Sequence, residues 1–117
     1  MKVNKKDFAY FIKRCKYWLA LFQLDNWEVD FYCKDIESSA KLNRNYMGCR
    51  ASIYLNENME IENGRTIKQS IDINAKHECT HLLVSNLAGL AHIRYVQSDE
   101  IDKTEEELIV KLQGIIK

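Results

Sequence analysis

The hydrophobic residues of the chain change period along its length. Phe8, Phe11, Ile12, Cys15, Trp18, Leu19 and Phe22 recur at three- and four-residue spacing, the stripe of an amphipathic helix facing a core. Asn4 stands where a cap for that helix is expected, and Lys5, Lys6, Lys13, Arg14 and Lys16 fall on its opposite, solvated face. Asp25-Asn26 ends the stripe in a turn. The period then drops to two: Trp27, Val29, Phe31 and Cys33 alternate with Glu28, Asp30, Tyr32 and Lys34, predicting a strand with one face on the core. Asp35 to Asn45 is polar and reads as a loop with a short strand near Ala40 to Leu42. Alternation returns with Met47, Cys49, Ala51, Ile53 and Leu55, a second strand in which Gly48 marks a bulge or a close backbone approach. Asn56 to Arg65 reads as a solvated acidic connection carrying Glu57, Glu60 and Glu62.

From about Thr66 the helical period resumes and runs to near Gly89. Ile71, Ala75, Cys79, Leu82, Leu83, Asn86 and Leu90 fall on one broad side, and His77 and His81 fall on the other beside Ile73 and Val84. A helix apolar around most of its circumference is buried, so its histidines face the interior or a cleft. A last helix carries the stripe Ile101, Leu108, Ile109, Leu112 and Ile116. The pattern predicts an α+β fold in one domain, residues 1–117: an N-terminal helix, a small antiparallel or mixed sheet, a buried central helix and a C-terminal helix.

Composition narrows the class further. Seventeen basic and 17 acidic residues balance, with a pI near 6.8, so no nucleic-acid or anionic-membrane surface is indicated. Lysines spread through the first 26 residues do not form a signal peptide, and no apolar run reaches the roughly 18 to 20 residues of a membrane span. Cys15, Cys33, Cys49 and Cys79 form no C-x-x-C pair and read as small buried residues rather than a disulfide framework. The expected compartment is the cytoplasm. Nothing in the pattern specifies an oligomeric state.

The chemistry concentrates in His77-Glu78-Cys79-Thr80-His81, an H-E-x-x-H stretch within the predicted buried helix. At about 100° per residue the two histidines stand one turn apart on one face and can bind one metal ion together. Glu78 then lies beside the metal, where a base that activates a water belongs, and Cys79 points away. A catalytic zinc takes three protein ligands, so a third is needed. Val84 and Leu87 occupy the positions where one zincin class carries Gly and His, which excludes that class. His92 is one candidate. Glu105 is a better one, because it sits on the apolar face between Ile101 and Ile109, and a buried carboxylate needs a cation. Glu106 is the fallback if the helix starts later. The alternative account is a cap at Thr104 with Glu107 closing a capping box, which leaves Glu105 unexplained.

Together with an N-terminal helix, Leu24-x-x-Trp27-x-Val29, Ala51-x-Ile53-x-Leu55 and Glu105-Glu106 leading the last helix, the motif resembles the small zinc metallopeptidases of the gluzincin type, especially minimal phage and prophage forms related to the SprT-like group. The resemblance implies a zincin-like fold, one Zn²⁺ held by His77, His81 and a C-terminal Glu, Glu78 as base, and a peptide or protein substrate. His92 and Tyr95 are the leading candidates to steady the oxyanion, with Tyr46 and Tyr54 behind them. The strand Cys49 to Leu55, if at the sheet edge above the cleft, would pair with an extended substrate. The rival expectation is a zinc-stabilised protein-binding module without turnover, and a third is a metal-free structural protein.

Overall fold

In a computed structural model that describes residues 2–45, 48–85 and 98–115, helix α1 (Lys5–Leu21) begins at the expected cap. The Asn4 side chain accepts from the Asp7 N–H at 2.8 Å, and the Asp7 carboxylate accepts from the Asn4 N–H at 3.1 Å. This reciprocal box satisfies two amides that the helix itself cannot. Helix α1 buries Phe11, Cys15 and Trp18, with Phe8, Leu19 and Phe22 packed partly against the same core. The fold class is α+β: strands β1 (Glu28–Lys34), β2 (Ala40–Asn45) and β3 (Arg50–Asn56) precede helices α2 (Ile67–Leu83) and α3 (Ser98–Ile115).

The sheet is mixed, in the order β1-β3-β2, with β1 parallel and β2 antiparallel to β3. Strand β3 is the centre of the sheet, with both of its sides hydrogen-bonded, so the condition for its pairing with a substrate is not met. Strand β2 is one of the two edges, and it runs to Asn45 rather than ending near Leu42 as expected. Nor does Gly48 mark a bulge: it lies in the turn joining β2 to β3, donates its N–H to the Asn45 side chain at 3.2 Å, and leaves the positive φ to Cys49, at 50°. Ala51, Ile53 and Leu55 bury the side of β3 that faces the helices. Tyr54 lies on the other face, stacked on Tyr32 with ring centroids 5.2 Å apart. The acidic connection after β3 is anchored by fully buried Met59 and by Asn56, whose amide donates to the carbonyls of Ile36 and Ser38.

Thr66 and Gln69 close a second capping box at the start of α2. Ile71, Ala75, Cys79 and Leu82 are buried as the period predicts, whereas Leu83 is 36% exposed; Asn86, Gly89 and Leu90 lie outside the described residues. Asp72 joins α2 to α1 by accepting from the Tyr10 hydroxyl at 2.9 Å and pairing with Arg14 at 2.9 Å. The Cys79 thiol points to the Cys15 carbonyl, 3.6 Å away, so it faces α1 and not the histidines. All four cysteines are free. No helix among the described residues is long and apolar enough to cross a membrane.

Helix α3 starts at Ser98, so Thr104 lies inside it and is not its cap. The capping-box account of Glu107 falls with that boundary, since a cap must stand at the helix start. Glu105 is buried beside Ile101 and Ile109, as the phase requires. Ile116 lies outside the described residues.

Truncating Phe11 leaves a cavity at a fully buried position, so Phe11→Ala is expected to cost about 3–5 kcal/mol in urea unfolding. Val110→Ala, at a 63% exposed site, should stay within about 0.5 kcal/mol of the parent.

Candidate metal centre

His77 and His81 face a cleft of about 360 Å³ whose walls are β2 and α3. Their rings meet edge-on with centroids 4.8 Å apart, and their Nε2 atoms are separated by 3.2 Å. From α3, Glu106 brings Oε1 to 2.5 Å from His81 Nε2 and Oε2 to 3.7 Å from His77 Nε2. One donor atom from each of the three residues lies within 4.8 Å of the others.

Two imidazoles and a carboxylate are the donor chemistry of a catalytic zinc site. Ligands bound tetrahedrally at about 2.0–2.1 Å stand about 3.3 Å apart, close to the observed Nε2 separation. The donor set therefore fits the metal that the motif suggests.

Glu78 is buried to 7% exposure and lines the same cleft without joining the donor group. Removal from water pushes its carboxyl up to about 7; the neighbouring Glu106 charge adds to the rise, while His77 and Arg44 oppose it. The placement follows from the helix, which turns Glu78 about 100° from His77.

The two carboxylate candidates for third ligand divide. Glu105 lies behind His81, with Oε2 on the Nδ1 of that ring and Oε1 accepting from Arg44 at 2.6 Å. Its burial does demand a cation, but that cation is Arg44, which the sequence reading did not weigh. Burial alone would raise the Glu105 pKa; the hydrogen bonds from Arg44 and His81 outweigh it and hold the carboxyl below its ordinary value. Glu106, exposed on the cleft side, is the carboxylate in the donor group, and Glu107 is exposed.

His92, Tyr95 and Tyr46 lie outside the described residues. Tyr54 stands on the face of the sheet turned away from α2 and does not line the cleft, so it is withdrawn as an oxyanion donor. Two residues that the sequence reading missed touch the histidines' surroundings. Arg44 also donates to the His81 carbonyl at 3.1 Å and to Ser85 Oγ at 3.2 Å. Gln113 places Oε1 2.8 Å from His77 Nδ1, and its carbonyl accepts from Lys76 at 2.7 Å. Each carried a signal: Arg44 shares strand parity with Ala40 and Leu42, and Gln113 follows Glu106 by two helical turns.

No family model matches the chain, and neither a curated protein nor a solved structure matches it.

In metal-free protein the raised Glu78 value makes stability fall with pH. Between about 4.5 and about 7 the unfolded chain has lost this proton and the native chain keeps it, so the native state binds more protons and loses ground as pH rises. Urea unfolding at a series of pH values should reveal that decline, and Glu78→Gln should flatten it.

Proposed function

We propose that the protein is a zinc-dependent metallopeptidase of the gluzincin type, with His77, His81 and Glu106 holding one Zn²⁺ and Glu78 serving as general base. The observation that carries this reading is the convergence of those three donors in a cleft that also contains a buried carboxylate outside the donor set. A purely structural site has no use for such a group. On this reading the α+β fold is a minimal zincin, α2 is its active-site helix, and Glu105 is not a ligand.

A zinc ion held there would polarise a substrate carbonyl, lower the pKa of its water toward about 7, and draw Glu78 back toward its ionised form. Glu78 then accepts a proton from the attacking water and passes it to the leaving amine, a role for which a carboxyl with a raised proton affinity is suited. The substrate is a peptide or protein segment. Strand β2, the edge strand beside the cleft, offers backbone groups with which an extended segment can pair, replacing β3 in that role. Four free thiols, two of them buried, are in keeping with a reducing compartment such as the cytoplasm.

Zinc titration and peptide hydrolysis of single variants test this assignment. Glu106→Gln should weaken zinc binding tenfold or more, on the order seen when a metal site loses a supporting group. Glu78→Gln should keep the zinc and abolish hydrolysis, because the base is not a ligand. A parent protein that binds zinc tightly but cleaves no peptide would favour the protein-binding module, and one that takes up no zinc would end both readings.

A further inference from the structure

An imidazole has two ring nitrogens, and only the one without a proton can bind a metal. His77 and His81 both turn Nε2 toward Glu106 and toward each other, which leaves Nδ1 facing away from the donor group. There, His77 Nδ1 meets the side-chain oxygen of Gln113 at 2.8 Å, and His81 Nδ1 meets a carboxylate oxygen of Glu105. An amide oxygen and a carboxylate oxygen only accept. Once a metal takes Nε2, each therefore holds the remaining ring proton on Nδ1.

We infer that Gln113 and the Arg44–Glu105 pair are positioning residues that orient the rings of His77 and His81 and hold the proton on Nδ1 when Nε2 binds the metal. This rests on the reading that the two Nε2 atoms and Glu106 hold zinc. The two supports differ in kind. On the His81 side, the guanidinium of Arg44 engages one oxygen of Glu105 at 2.6 Å and leaves the other to the ring, while its second branch reaches the carbonyl of His81 itself at 3.1 Å. Ring and backbone of one ligand are thus held by one cation. On the His77 side the acceptor is neutral, and Lys76 secures it by donating to the Gln113 carbonyl.

The acceptors behind both rings come from one helix, α3. Glu105 and Glu106 are neighbours on α3, about 100° apart, so one reaches behind His81 while the other enters the donor group; Gln113, two turns on from Glu106, reaches behind His77. Outer partners of this type are worth roughly 10–100-fold in metal affinity.

The test uses the full chain, zinc titration, and imidazole ¹H–¹⁵N spectra of the zinc-loaded protein. Gln113→Leu removes the acceptor yet suits a helix at a half-buried position, and Gln113→Glu keeps an acceptor and adds charge. The parent should show both rings bound through Nε2 with Nδ1 protonated. Gln113→Leu should lose about tenfold in zinc affinity, with the His77 Nδ1–H signal displaced or lost. Gln113→Glu should bind at least as tightly as the parent. Glu105→Gln, which keeps an oxygen but loses the charge that Arg44 grips, should weaken binding by tenfold or more. The inference is overturned if Gln113→Leu matches the parent in affinity and spectrum, or if the Leu and Glu variants at position 113 lose affinity alike. In either case zinc binding by the parent leaves the metal reading standing. If the parent binds no zinc, both fall together.

Discussion

A carboxylate buried against an apolar helix face is tolerable only when a cation and hydrogen-bond donors meet it. In this protein Glu105 is that carboxylate, and Arg44 is the cation. The pair ties three elements at one point: β2 supplies Arg44, α3 supplies Glu105, and α2 supplies His81, whose carbonyl meets Arg44 and whose ring meets Glu105. A buried ion pair of this kind adds little net stability, yet losing one partner strands the other and costs about 3–5 kcal/mol. What the pair contributes is specification. It sets where α3 sits along α2, and therefore where Glu106 arrives.

Helix α2 mediates between this polar junction and the core. One side carries Ile71, Ala75, Cys79 and Leu82 against α1 and the sheet, and the other carries His77 and His81 into the cleft. Because Cys79 faces α1 and Asp72 is held by Tyr10 and Arg14, the rotation of α2 about its own axis is fixed from the side away from the histidines. The two imidazoles inherit a defined direction from packing that contains no metal ligand.

Periodicity made much of this legible in the sequence, and its failures have a common cause. The Asn4 cap, the buried positions of α1, the strand at Phe31, the face of α2 and the burial of Glu105 all follow from local spacing, which the backbone enforces within a few residues. What escaped was pairing across distance. The position of β3 within the sheet stays open in the sequence, because alternation gives a strand's inner face but not its neighbours. Strand β2 was cut short because Lys41, Asn43, Arg44 and Asn45 look like a loop until the strand is seen to be a polar edge. Arg44 was overlooked for the same reason: its partner is 61 residues away, and no local spacing predicts that a charge in a polar stretch will neutralise a carboxylate in the last helix. Gln113 carries no charge and so raised no question of burial at all.

Helical phase therefore places Glu105 on a buried face and leaves the identity of its counter-charge open. A buried carboxylate does require a cation, but a metal is only one source of positive charge, and a guanidinium with a planar fork meets one oxygen of Glu105 and the His81 carbonyl at once. Once Arg44 takes that role, the more exposed neighbour is the better donor, since a carboxylate that must meet an ion arriving from solvent has to stand where solvent reaches. Burial and a place in the donor group, which pointed to one residue in the sequence, belong to two adjacent residues in the fold, separated by a single helical step of about 100°.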